Sequence, residues 1–277
     1  MWSTTLVSLA LAATPDADDS VLQRADAPVA IRLYADVGLL GQLSHTLQVG
    51  REGTDVSIPS DLGQDVLFPF LRFQTDLDLG AARRHTVSLL YQPIDLRSTV
   101  APTEPIQVGD VRYGSGQGLT FRYGFSYWRG TWLYDLAPSS ERETAVGLGL
   151  QIRNANIVYS AVDGSDVVAS RNIGPVPLLA ARTRHPLGAD TWLGTELQGF
   201  WAPIRLLNGS TTDVEGAIAD GAVKLGLSRA HGIEPWLAIR YIGGGAVGTS
   251  NNPDPYTDGY TKNWLHFTAI SLGAGLR

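Results

Sequence analysis

From about Ala30 to its last residue the chain repeats one unit: a strand of alternating apolar and polar residues, a short polar turn, a second such strand and a long polar loop. The final strand shows the alternation best, with Ile270, Leu272, Ala274 and Leu276 interleaved with Ser271, Gly273, Gly275 and Arg277. In a soluble sandwich the apolar face would be the core. Here the opposite face repeatedly carries Arg, Asp, Glu, Gln and Gly, and short and long connections alternate along the whole chain. A belt of apolar residues around a polar interior, with strict turn alternation, is the pattern of a β-barrel that spans a membrane.

Composition narrows the alternatives. Charged residues are only 17% of the chain, below the roughly 25% usual in soluble domains. Past the N-terminus no run reaches the ~18 apolar residues of a spanning helix, so a chain that crosses lipid must do so as a closed barrel with no open sheet edge. The absence of Cys excludes disulfides, thiolate chemistry and Cys-ligated metals. A net charge of −6 argues against nucleic acid as a partner.

Three segments follow. Residues 1–13, with the apolar stretch Leu6 to Ala13 ending in small residues, read as a signal peptide, although Met1 to Thr5 lack the usual Lys or Arg. Residues 14–27 are a polar, flexible lead-in, and residues 28–277 are an antiparallel, up-and-down transmembrane barrel of about ten strands. The strands are expected at 29–49 (bent at Gly41), 67–79, 85–96, within 108–136, then 144–160, 175–184, 191–202, 217–228, 235–243 and 263–276. Connections 80–84, 137–143, 185–190 and 229–232 are short; 50–66, 97–107, 161–174, 203–216 and 244–262 are long and polar. Short turns on the periplasmic side and long loops outside then place both termini on the periplasmic side. A change of parity in the fourth strand, between Arg122–Ser126 and Arg129–Asp135, asks for a bulge near Trp128.

Parity also sorts the faces. Outward positions include Leu33, Val37, Phe73, Leu148, Leu225 and Ile239. The inward set is Arg32, Asp36, Arg72, Asp76, Arg129, Asp135, Gln151, Arg153, Arg182, Arg184, Glu196, Asp220, Lys224 and Arg240. Unpaired buried charges are costly, and ten strands enclose little free space, so these residues are expected to cross-link into a narrow, charge-paired polar plug. Trp192 and Trp236 beside short turns, and Trp201 and Trp264 beside long loops, are expected to form two membrane-interface girdles.

The runs Tyr123 to Arg129, Val146 to Ile157 and Ile270 to Arg277 resemble small outer-membrane β-barrel proteins of Gram-negative bacteria. Those proteins commonly end in an aromatic residue, whereas this chain ends in Leu276 and Arg277. The resemblance implies a bacterial outer-membrane location, with membrane lipid and the barrel-assembly machinery as partners.

Chemistry is sparser. His85, His185 and His231 sit at short turns, whereas His45 and His266 fall near the outer ends of the first and last strands, which must pair to close a barrel. They are the weak catalytic candidates, with Ser44, Asp55 and Asp258 as possible helpers. No G-x-S-x-G, H-E-x-x-H or P-loop is present. Asn251, Asn252, Asp254 and Asp258 match no EF-hand, and Gly243 to Gly245 read as a hinge. No metal or cofactor is expected. The reading is a structural or binding barrel acting through its outer loops. Its alternatives are a hydrolase or acyltransferase at the outer rim, a narrow small-solute channel, porin-like in kind, and a soluble ligand-binding β-barrel.

Overall fold

The computed structural model describes residues 28–139, 142–203, 213–228, 232–249 and 257–276. Residues 1–27, and with them the expected signal peptide and lead-in, lie outside the described residues, as do His231, Asn251, Asn252 and Asp254.

The wall is a closed ring of ten antiparallel positions. They are β1 (Val29–Val49), β3 (Leu67–Leu79), β4 (His85–Gln92) continued by β5 (Asp95–Val100), β8 (Leu119–Asp135), β9 (Glu143–Ala161), β10 (Val167–Pro186), β11 (Thr191–Pro203), β12 (Asp213–Leu227), β13 (Ile233–Thr249) and β14 (Tyr260–Leu276). Each pairs with the next in sequence, and β14 pairs with β1 from Leu33–Leu276 up to Val49–Thr261, which closes the barrel. Between β1 and β3 lie β2 (Val56–Ser57) and the single-turn helix α1 (Ile58–Leu62); between β5 and β8 lies the hairpin β6 (Ile106–Val108) and β7 (Val111–Tyr113).

The outward face carries the belt that the alternation demands. Val37, Leu39, Phe73, Leu148, Ile239 and Leu272 are all exposed, the outward apolar band characteristic of the outer-membrane barrel fold. Higher on the wall the outward residues become charged: Arg122 of β8 pairs with Asp95 of β5 at 2.9 Å, and Lys262 of β14 pairs with Asp55. The barrel therefore rises out of the apolar band at its loop end. About ten residues suffice to cross the hydrocarbon, and β1 has 21.

Several boundaries differ from the sequence expectation. β8 keeps one parity throughout: its odd residues are buried from Leu119 to Asp135, and its register with β9 is continuous. There is no bulge at Trp128; Arg122 is outward, above the apolar band, where it pairs with Asp95. The irregularity falls instead on β1, between Gln42 and Ser44, and β1 is not broken at Gly41. The third expected strand, 85–96, is interrupted at Pro93, which has no N–H for the ladder. The expected loop 161–174 is a tight turn over 162–166, and β13 and β14 extend to Thr249 and from Tyr260. Gly243 to Gly245 lie inside β13 in unbroken register, not in a hinge. Above the apolar band the outward positions are no longer apolar, so the alternation fades while the hydrogen-bond ladder continues.

Candidate functional site

The lumen has two layers. In the half nearer the short turns, charged side chains reach across from wall to wall. Asp220 of β12 receives Arg129 of β8 at 2.7 Å, Arg72 of β3 at 3.3 Å and Arg240 of β13. Glu196 of β11 is contacted by Lys224, Arg240 and Arg72. Nearer the turn end, Asp76 of β3 binds Arg182 of β10 at 2.6 Å, and Asp78 binds Arg32 at 2.6 Å. Glu143 of β9 meets both Arg182 and Arg32. Arg184 pairs with Glu234 at 2.8 Å. Amides fill the remaining valences: Arg129 donates to Gln151 and Gln198, and Gln92 accepts from Arg72 and from the Tyr127 hydroxyl. Every carboxylate in this layer that faces a guanidinium has at least one ion pair, which offsets the desolvation of so many buried charges.

Not all the inward candidates join. Asp36 accepts from Trp236 Nε1 at 2.7 Å and from Ser271. Asp135 accepts the backbone N–H groups of Ala137 and Thr144, and so holds a short turn. Arg153 has neither hydrogen bond nor ion pair among the described residues; its guanidinium lies over the Phe125 ring, 5.8 Å from the centroid. Conversely, Asp78, Glu143 and Glu234 belong to the layer but were absent from the expected set. Glu143 and Glu234 lie just before the expected starts of their strands, while Asp78 shares the parity of Asp76 and was legible.

Trp192 and Trp236 correct the girdle expectation. Both face the lumen, 6% and 4% exposed, and pack together with Tyr34. The room comes from glycine: a Cβ on Gly226 or Gly273 would lie 2.2 Å from the Trp192 or Trp236 ring. Arg184 and Lys224 cover the two ring faces at 4.7 and 4.8 Å. Trp201 and Trp264 are on the outward side, together with Trp128 and Trp132.

The half of the lumen nearer the loops is apolar, against the expectation of a polar plug throughout. Its spine is the inward column Phe121, Tyr123, Phe125 and Tyr127 of β8: the last three rings contact in succession, Phe121 contacts Tyr159, and the His45 ring bridges Phe121 and Tyr123. Ile58 and Leu62 of α1 and Ile106, Val108 and Tyr113 of the β6–β7 hairpin share one buried cluster with this column and with Leu47 and Val49 of β1. Burial pushes the Tyr113 phenol up to about 12. Backbone bonds tie the two insertions together: Thr54 N–H donates to the Gln107 carbonyl at 2.8 Å, and Ala101 N–H to Leu62 at 3.2 Å. They fill the β1–β3–β5–β8 side of the upper lumen.

A small cleft, open at its mouth, remains on the other side. Tyr123, Phe125 and Arg153 face Val176, Phe200, Ile218 and Ile242 across it. Inward Gly216 and Gly244 are diagonal neighbours on the β12–β13 wall, opposite Ala246 and Ile218, and leave the wall bare between those two side chains. Gly244 has φ +152°, and a Cβ there would meet the Ala217 carbonyl oxygen at 2.4 Å, so the bare wall is set by backbone packing.

The histidine candidates do not converge. Ser44 is opposite His266 in the β1–β14 register, so the two histidines are sequence neighbours across the seam. The shift after Gln42 turns His45 inward, where it is fully buried and its Nε2 lies 3.0 Å from Asn263 Oδ1. His266 faces outward, its Nδ1 2.6 Å from the Tyr241 hydroxyl. The barrel wall separates the two rings. Ser44 is exposed, while Asp55 and Asp258 bind Lys262 and the Arg51 backbone N–H. Among the described residues no group of His, Asp and Glu could hold a metal ion.

No protein-family model matches the sequence, and no curated protein matches it. The fold has solved neighbours. The outer membrane protease OmpT from Escherichia coli aligns over 89% of this chain and 96% of its own, with 10% identity and a TM-score of 0.53. A Pseudomonas aeruginosa FadL homologue aligns over 90% of each chain at 6% identity with a TM-score of 0.38, and the P. putida toluene transporter TodX over 91% of each at 7% and 0.30. The alternating sequence, the closed ten-strand ring and its apolar outer belt agree with the first of these: the chain has the fold of an outer-membrane β-barrel.

Proposed function

We propose that this is a bacterial outer-membrane protein whose barrel is closed by its own side chains and which acts as a binding protein at its loop end. The cross-lumen ion layer carries this reading: Arg129–Asp220, Arg72–Asp220 and Arg182–Asp76 join walls that are not neighbours, where a solute pathway would have to run. The outward belt makes membrane lipid its surroundings. The same pairs disfavour the channel alternative, and the separation of His45 from His266 removes the shared site that a rim hydrolase built on them would need. Proteolysis is the activity of the E. coli neighbour, and the likeness to it is one of fold.

The test is conductance. Purified protein reconstituted in a planar bilayer is expected to give a silent membrane, and a chain with Arg129, Arg72 and Arg240 all replaced by Ser is expected to give unitary steps if it still folds. Regular steps from the unaltered chain would overturn the closed barrel. Peptide or lipid cleavage lost on His45→Ala would overturn the binding role.

A further inference from the structure

The cleft in the upper lumen has a composition that neither layer around it shares. Below it, each inward guanidinium described (Arg32, Arg72, Arg129, Arg182, Arg184 and Arg240) meets a carboxylate. Beside it, the wall is aromatic and aliphatic. Arg153 stands between the two, part-buried, directed into the cleft, and without an anion among the described residues. A guanidinium held over a ring face keeps its N–H edge free, and that edge is the part that matches a carboxylate. The remaining polar atoms at the cleft are restrained: Asn263 donates to the Tyr123 hydroxyl at 3.0 Å and sits 3.0 Å from His45.

The apolar side is built as carefully as the charged one. Inward Gly216 and Gly244 leave a strip bare of side chains running diagonally across the β12–β13 wall between Ile218 and Ala246, in the cleft that Phe125 and Phe200 also line. Space between a ring and a bare strip suits a flat or chain-like apolar body. One cationic edge at one end of such a space selects a molecule with a single anionic head.

We propose that this cleft binds a monocarboxylate with an apolar body of aryl or short acyl type, the carboxylate on Arg153 and the body between Phe125 and the Gly216–Gly244 strip. The inference deepens the binding role given above. It needs the charged layer only as a floor, so the two readings fail separately. A barrel that conducts and still binds would sink the closed lumen alone, and a silent barrel that does not bind would sink this inference alone.

The experiment is calorimetric titration of the full chain in lipid nanodiscs, with empty nanodiscs as the blank, using phenylbutyrate and its uncharged counterpart phenylbutanol. Phenylbutyrate is expected to bind roughly ten- to a hundredfold more tightly than the alcohol, the range of a charge-assisted hydrogen bond. Arg153→Met is expected to remove that difference, and Arg153→Lys to keep part of it. Ile218→Trp, which fills the cleft without touching the charge, is expected to abolish both. Folding of each variant is checked by the shift between boiled and unboiled samples on a gel. Equal binding of acid and alcohol, no binding by the folded unaltered chain, or a folded Arg153→Met that still prefers the acid would each overturn the proposal.

Discussion

Asp220→Asn is the sharpest perturbation of the lumen. The Asp220 side chain is 1% exposed and is the common anion of Arg129 at 2.7 Å, Arg72 at 3.3 Å and Arg240. Asn keeps the shape and one acceptor oxygen but removes the charge and turns an N–H₂ towards a guanidinium. Breaking a buried pair by removing one partner costs ~3–5 kcal/mol. Three arginines are affected, yet Glu196 still neutralises Arg72 and Arg240. The cost is therefore placed at the lower end, about 3 kcal/mol. It concentrates on Arg129, whose other partners, Gln151 and Gln198, are neutral. Urea-dependent folding into lipid vesicles, followed by Trp fluorescence, measures it. The double variant Asp220→Asn with Arg129→Met should be less destabilised than the sum of the two single variants, by ~0.5–3 kcal/mol, because the second change removes the stranded cation. A single-variant loss below ~1 kcal/mol, or strict additivity, would refute the view that this carboxylate holds the layer together.

The remaining expectations concern other layers. Brominated lipids should quench Trp128, Trp132 and Trp201 but leave Trp192 and Trp236 unaffected, so Trp192→Phe with Trp236→Phe should raise the quenched fraction; an unchanged fraction would put the last two rings back on the lipid side. Gly273→Val should cost ~1–3 kcal/mol by overpacking, because its first added atom would lie 2.2 Å from the Trp236 ring, whereas the same exchange on the outward neighbour Ala274 should be nearly silent in the same unfolding assay. At the rim, the Arg122 hydrogen bond holds the Asp95 carboxyl below its usual range. Its contribution is therefore present above the ordinary carboxylate pKa and lost as pH falls through the depressed value. With both side chains more than a third exposed, Asp95→Asn should change stability by less than ~1 kcal/mol at neutral pH, and a larger change would mean the rim is drier than described.

Parity carried most of the fold. Residues such as Leu237, Ile239 and Tyr241 announce an apolar outward face by alternation, and Arg240, between the last two, must then look inward. The same rule puts Trp236 inward beside Leu237, so the girdle expectation for Trp236 conflicted with evidence already in the strand; the facing Gly273 was the further clue. Arg122 failed for the opposite reason. Its strand rises above the lipid, where outward charge is unremarkable, and alternation alone cannot locate that water line. The register shift after Gln42 rests on backbone pairing that leaves no side-chain signature, so the facing of His45 was not legible. The cleft was hidden too, because Gly216 and Gly244 are ordinary residues until the strands carrying them are laid side by side.

The ion layer has a consequence for how the barrel is made. Its pairs join distant parts of the chain: Arg72 to Asp220 spans 148 positions and Arg182 to Asp76 spans 106. A sheet that has reached only β8 holds Arg72 and Arg129 with their principal anion still to be placed. Such an intermediate cannot bury those charges in hydrocarbon, so its inner face must stay wet until β12 arrives and β14 finds β1. The layer thus works as a latch that engages only on completion, which favours all-or-none insertion over a stable half-barrel.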